Sequence, residues 1–312
     1  MAEFTHPAGS AGSRPPVTLG HNQYGKAETR VVRVFRDSDP HEIVDYNVSA
    51  ALSGDFADTH LTGDNTKVLT TDAVKNTVNA FAKETGDAVR QPESFGLALA
   101  RHFAEDVPQV TRARVKLEAY PWDRLAHDGS PHPHAFSRRG AYVRTATVTW
   151  QDGRAWVASG LRGLVVLKTT DSEFHSFYSD RYTTLEPTND RIMATEVAAQ
   201  WWQTDLDADW GASFDAVLRT LTSAFAGHHS LSLQQTLYAM GTAVLEEQPG
   251  IAEIRLSLPN KHHFLVDLGP YGLKNPGEVF HAADRPYGLI EGTVRRDDAP
   301  DPGPAFDPGQ GW

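Results

Sequence analysis

One arrangement of apolar periodicities occurs twice along this chain, and it restricts the possible folds more than any other feature. Gln23–Phe35 and Glu42–Leu52 read as strands, separated by a turn at Asp37-Ser38-Asp39-Pro40. Two helices follow. Asp72–Lys83 sets Val74, Val78 and Phe81 at i, i+4, i+7, and Pro92–Glu105 sets Phe95, Leu99 and Phe103 at i, i+4, i+8. Pro92 suits a first helical turn, where a missing N–H costs nothing. Strands return at Val110–Trp122 and Ala141–Trp150. The second half runs in the same order. Arg154–Lys168 and Arg191–Trp202 read as strands, Phe214–Ala226 and Leu233–Glu247 as helices, and Ile251–Leu268 and Glu278–Arg295 as strands. Ser232 with Gln235 forms an S-x-x-Q capping box at the head of the last helix.

The order ββααββ, taken twice, predicts an α+β protein in which an antiparallel sheet carries its helices on one face. Domain limits follow: a tail over 1–20, one unit over 21–151, a second over 152–296, and a tail over 297–312 with four Asp and four Pro. Such a sheet has two edges. Exposed edges favour pairing with another subunit.

Composition narrows the function classes. No uninterrupted run of apolar side chains exceeds four residues, far short of the ~18 needed to span a bilayer. Met1–Pro16 lacks the apolar stretch of a secretory signal, so export by that route is not expected. The chain of 312 residues has 29 basic and 40 acidic side chains, a formal charge of −11, which argues against general nucleic-acid binding. Cysteine is absent, which removes disulfides, thiolate metal sites and cysteine nucleophiles. No P-loop, dinucleotide fingerprint, nucleophile elbow or H-E-x-x-H occurs.

Several segments could carry chemistry, and each also has an ordinary structural reading. Lys26, in Tyr24-Gly25-Lys26, is either a solvated lysine or, if desolvated, a base. Thr70-Thr71-Asp72 suits a helix N-cap, and the same helix end presents free N–H groups to an anion. Arg191 offers a planar fork of donors and Gln234 both a donor and an acceptor; together they could read a flat ligand such as a purine or pteridine. Otherwise Arg191 is an ion-pair residue and Gln234 an exposed helix position. In Leu258-Pro259-Asn260-Lys261-His262-His263-Phe264, strand alternation puts Asn260, His262 and Phe264 on one face. Asn260 and His262 could hold a small polar molecule and relay a proton, or be two satisfied polar residues at a strand end. His127, His132 and His134 lie in the Pro-rich stretch Ala126–Ser137, read as a loop. Metal sites need three or four convergent ligands, and with no partner acid or His indicated a structural or surface loop is expected there.

Taken in order, these segments resemble the urate oxidase (uricase) family. The strongest match runs Leu164-Val165-Val166-Leu167-Lys168-Thr169-Thr170-Asp171-Ser172-Glu173-Phe174 and continues through Phe177, Tyr182, Leu185 and Arg191. Others are Asn22–Lys26, Thr71-Asp72 with Lys75–Val78, Gln234–Tyr238, Leu258–Phe264 and Asp284–Gly288. Thr70, Ala73, Asn79 and Ser176 depart from the family's usual residues, and none of them carries an assigned role.

The resemblance implies two tandem tunnelling-fold units per chain, two chains closing a sixteen-stranded barrel, and a homotetramer of two stacked barrels with active sites at subunit interfaces. It implies oxidation of urate by O₂ to 5-hydroxyisourate and H₂O₂ with no metal or organic cofactor. Arg191 and Gln234 would clamp urate, with Leu233 contacting it beside Gln234. Phe174 would stack on the ring. Thr71 and Asp72 would reach it from the neighbouring subunit. Lys26, Thr71 and His262 would relay protons, and Asn260 would hold O₂ or water. The chain ends Gly-Gln-Gly-Trp rather than in a peroxisomal address, so a cytoplasmic, bacterial enzyme is expected. Two other readings stand beside this one: another tunnelling-fold purine or pteridine enzyme, and a purine-binding relative without catalysis.

Overall fold

A computed structural model describes residues 17–37 and 39–307. The first hairpin pairs β1 (Tyr24–Phe35) with β2 (Glu42–Gly54), antiparallel. Just past Lys26 the register shifts in a β-bulge, where Glu28 takes φ +57° and donates its N–H to Ser49 Oγ. A short helix α1 (Ala57–Leu61) leads to α2 (Thr71–Glu84) and α3 (Pro92–Glu105). Thr70 caps α2 by accepting the N–H of Ala73 at 3.1 Å. Val74, Val78 and Ala82 are the buried stripe of α2; Phe95, Leu99 and Phe103 are that of α3. α2 packs over β1, and α3 over β3 (Val110–Ala119) and β6 (Val143–Gln151), on one face of the sheet.

The turn Asp152-Gly153, at φ +52° and +69°, joins the halves through the β6–β7 hairpin. The second half repeats the order with β7 (Arg154–Lys168), β8 (Met193–Gln203), α4 (Trp210–Gly227), α5 (Leu233–Glu247), β9 (Ile251–Asn260) and β12 (Gly288–Arg295). All eight long strands form one antiparallel sheet in the order β1-β2-β3-β6-β7-β8-β9-β12. Each half has its own apolar core between sheet and helices. The opposite face is an open concavity of about 1070 Å³ lined by polar side chains such as Lys116, Glu118, Arg162 and Gln200. No described helix is long and apolar enough to cross a membrane.

The mixed α+β antiparallel architecture agrees with the predicted repeat, and four details differ. Val110–Trp122 is not one strand, because the chain leaves the sheet at Tyr120-Pro121 and continues as the hairpin β4 (Trp122–His127) and β5 (Ser130–Arg138). The segment read as a histidine-rich loop is therefore a hairpin. Its turn, Asp128-Gly129 with both φ positive, was visible as an Asp-Gly pair. Second, the strands expected at Ile251–Leu268 and Glu278–Arg295 each break, giving the small pair β10 (His263–Leu265) and β11 (Phe280–Ala282). Third, part of the expected C-terminal tail is docked. A 3₁₀ turn at Gly303–Phe306 buries Ala305 beside Trp202 and Ala252, Arg255 lies 3.9 Å from the Phe306 ring centre, and Arg112 pairs with Asp307 at 2.5 Å. Fourth, Arg191 lies just ahead of its strand rather than in it. The expected tail at 1–20 falls mostly outside the described residues.

Candidate active site

The predicted site residues fall into two groups. The first is Lys26, Thr71 and Asp72. Gly25 lets β1 press against β2 so closely that any side chain there would collide with the Ala50 carbonyl oxygen. Lys26 shares the strand face of Tyr24, whose ring meets Phe56 edge-on at 4.7 Å, so it projects toward the helix side. Lys26 is half-buried, while Thr71 and Asp72 are exposed at the head of α2. The Asp72 carboxyl is held below the usual carboxylate range, first by its hydrogen bond from Lys75, then by the Lys75 charge and Asn76. The charge of Lys26 adds to this, so Lys26 stands within electrostatic reach of the α2 terminus.

The second group is Phe174, Arg191, Leu233, Gln234, Asn260 and His262. The loop after β7 is fixed where it carries Phe174: Phe174 N–H donates to Thr188 O at 2.8 Å, and Thr188 N–H returns to Phe174 O at 2.9 Å. The Phe174 ring stacks on Phe177 at 5.1 Å, with the Arg191 guanidinium also 5.1 Å from the ring centre. Burial makes the Arg191 cation harder to sustain and lowers its pKa, and its buried Nε has no hydrogen-bond partner. Among the described residues no carboxylate pairs with it. Leu233 and Gln234 are the first two residues of α5. Ser232 accepts the N–H of Gln235, and Gln235 Oε1 accepts that of Leu231, close to the predicted capping box. The N–H groups of Leu233 and Gln234, in the first helical turn, have no intrahelical partner. The Leu233 side chain is buried in the second core, so its main chain is the part free to face a ligand. Gln234 is exposed.

Asn260 ends β9, opposite Gly288 on β12 and Thr195 on β8. Next to it Lys261 N–H pairs with Ala194 O, so strand alternation stops there. His262 and Phe264 nonetheless stack, 5.8 Å between centres. The His262 imidazole is held below its usual pKa, first by burial, then by the positive charge of Arg191, then by His263. Neutral imidazole near a half-buried guanidinium suits proton transfer next to a bound anion.

Within one chain the two groups lie at opposite ends of the sheet. Lys26 is on the edge strand β1 and Asn260 on β9, six strand spacings away, or roughly 29 Å along the sheet. Thr71 and Asp72 thus share the β1 end of the sheet with Lys26, so whatever brings them to a neighbouring chain's site brings Lys26 as well.

Two features were not read from the sequence. Glu173, beside Phe174, accepts from both His175 and His229, a contact between residues 56 positions apart that no local pattern encodes. Thr195, fully buried on β8, has a side-chain oxygen without a partner. The histidines of the β4–β5 hairpin form a row, with His132 and His134 ring centres 4.5 Å apart. Among the described residues no three His, Asp or Glu converge as metal ligands.

Comparison with known proteins places this geometry in context. A sequence profile described as Uricase matches residues 22–149 and 157–291, one stretch in each half. Uricase of Arthrobacter globiformis is 51% identical over 281 residues, covering 90% of this chain and 91% of that protein. Uricase of Aspergillus flavus is 36% identical over 294 residues, covering 88% and 95%. The crystal structure of the Arthrobacter globiformis uricase superposes with a TM-score of 0.88 at 50% identity, over 92% of this chain and 98% of that one. The urate oxidase of Bacillus sp. TB-90 shares the fold, with a TM-score of 0.77 at 22% identity over 88% and 100%. The chain belongs to the uricase family.

Proposed function

We propose that this protein oxidises urate with O₂ and water to 5-hydroxyisourate and H₂O₂, needing no metal or organic cofactor. The observation that carries this reading is Arg191: a half-buried guanidinium whose buried Nε is unpaired, against an aromatic ring and within electrostatic reach of His262. A half-buried cation with an unpaired buried Nε and no carboxylate suits an anionic ligand, and the ring beside it suits a flat one. Urate meets both requirements.

In this reading Arg191, Gln234 and the Leu233 N–H hold one edge of the urate anion, and Phe174 stacks beneath its ring. Lys26 and Thr71 take a proton and pass it by way of His262. The dianion so formed is electron-rich enough to reduce O₂ directly. Asn260 holds O₂ above the ring, and afterwards the water that adds to it. Two electrons and two protons leave as H₂O₂. Positioning both reactants supplies the orientation that the reaction needs.

Lys26, Thr71 and Asp72 reach the substrate from a second chain. The edge strands β1 and β12 pair between two chains of tandem tunnelling-fold units to close a sixteen-stranded barrel, and two barrels stack into a homotetramer. The open edges and the separation of the two residue groups support this assembly. The compartment is the cytoplasm of a bacterium, in keeping with the bacterial relative. No nucleic acid or membrane takes part. The test is the loss of urate ultraviolet absorbance by purified, EDTA-treated protein under air, with O₂ uptake and H₂O₂ followed in parallel. Turnover with H₂O₂ release is expected; absence of both refutes the reading.

A further inference from the structure

We infer that Glu173, bridged by His229, is a positioning residue that fixes the stacking ring of Phe174 relative to the head of α5. The inference rests on the urate reading above and goes beyond it, because that reading assigns no role to Glu173 or to the histidines. Glu173 is the residue before Phe174. Its Oε1 lies 2.6 Å from His229 Nε2, and its Oε2 lies 2.7 Å from His175 Nε2. His229 belongs to the turn between α4 and α5 that delivers Leu233 and Gln234. The carboxylate therefore spans the two segments that must meet around one planar ligand.

The main chain repeats the connection. Glu173 N–H donates to Ser230 O at 2.7 Å, Ser230 N–H donates to Asp171 O at 2.9 Å, and Ser172 bridges Ser230 in parallel. Beneath this lies a buried hydroxyl chain: Thr236 Oγ1 donates to Ser230 Oγ at 2.8 Å, and Ser230 Oγ to the Ser232 carbonyl at 3.0 Å. Ser172, Ser230 and Thr236 are fully buried. Both histidines hold the Glu173 carboxyl below its usual range, His229 more than His175. An isolated exposed ion pair contributes little. Here the carboxylate serves two donors on segments already tied by backbone, so little further side-chain freedom is lost when the bridge forms.

A strut of this kind acts equally on the ground state and the transition state. Losing it therefore raises KM and leaves kcat alone. The experiment compares wild type with Glu173→Ala, His229→Ala and His229→Gln, reading urate Kd anaerobically and KM and kcat under air. Expected is a rise of roughly five- to tenfold in Kd and KM for both alanine variants, with kcat within about twofold. His229→Gln, whose amide can still donate to the carboxylate, restores most of the affinity. The double alanine variant binds no more weakly than either single one. Hydrogen exchange without ligand, over 171–176 and 228–235, reads the strut independently of substrate and is expected to quicken in Glu173→Ala. Unchanged exchange, or unchanged Kd and KM in both alanine variants, overturns the inference. A wild-type protein that neither binds nor oxidises urate refutes the proposed function, while the exchange result still decides whether the strut exists.

Discussion

Replacing Glu93 by alanine should destabilise the protein more than any single surface change, because the residue sits at the seam of the two repeats. Glu93 follows Pro92 at the head of α3 and is fully buried. Its Oε2 accepts from Arg144 Nη2 at 2.6 Å and its Oε1 from Ser159 Oγ at 2.7 Å. Arg144 stands on β6 and donates also to the Trp210 carbonyl at 3.1 Å, with its guanidinium 4.5 Å from the Phe214 ring centre. One carboxylate thus joins α3 of the first half to β7 and α4 of the second. Removing it leaves a cation only 15% exposed without its acid. Breaking a buried pair from one side costs about 3–5 kcal/mol, and the orphaned Ser159 hydroxyl overlaps with that figure rather than adding to it. With about 290 described residues at ~2.1 cal/mol/K each, the unfolding entropy is roughly 0.6 kcal/mol/K, so a loss of ~4 kcal/mol lowers Tm by about 7 °C. Scanning calorimetry at one fixed scan rate and protein concentration checks this. The double variant Glu93→Leu with Arg144→Met removes both charges and should lie within about 2 kcal/mol of wild type. A double variant as unstable as Glu93→Ala would show that shape, and not an abandoned charge, sets the cost. A shift under ~2 °C for the alanine variant would refute the pair's importance.

Lys26→Ala and Thr71→Ala should lower kcat by 10²-fold or more with little change in anaerobic urate binding, while Arg191→Ala weakens binding by roughly 10- to 100-fold; the opposite pattern would break the assignment of relay and clamp. His262 binds its proton less readily in the folded chain than in the unfolded one. Its contribution to stability is therefore present above the ordinary histidine value and is lost as pH falls through it toward the lowered one. The kcat/KM profile should rise with pH across the lowered value. A urate anion on Arg191 offsets the repulsion, so the kcat inflection lies higher than that of kcat/KM, and His262→Gln loses both; coincident inflections would contradict this. Ser176 holds φ +59° on an exposed loop, so Ser176→Gly should raise stability by about 0.5–1 kcal/mol in urea titrations.

Much of this architecture was legible because period and position agree. Phe95, Leu99 and Phe103 announced the buried stripe of α3, and Ser232 with Gln235 announced the start of α5. What escaped depended on single turns or on distant pairs. Asp128-Gly129 converts the expected loop into a hairpin, and Pro121 ends a strand that its apolar pattern would have continued. The docking of 299–307 depends on Trp156, Trp202 and Arg255, which lie on three other strands, so the Pro-rich composition there read as a tail. The site residues were legible as types in an order. Their division between the two ends of the sheet was not, because it follows from strand order, and Glu173 with His229 is a pairing that only the fold creates.

The separation of Lys26 from Asn260 and Arg191 along the sheet has a genetic corollary. On the assembly proposed above, a chain carrying Lys26→Ala still supplies a sound clamp, and a chain carrying Arg191→Ala still supplies a sound relay. Neither makes a working enzyme alone. Co-expressed, they assort at random, and each mixed pair rebuilds one intact centre while concentrating both lesions in the other. At urate well below saturation, two impaired alleles together then recover roughly a quarter of normal activity. Inheritance at such a locus follows the pairing of chains rather than the soundness of any one of them.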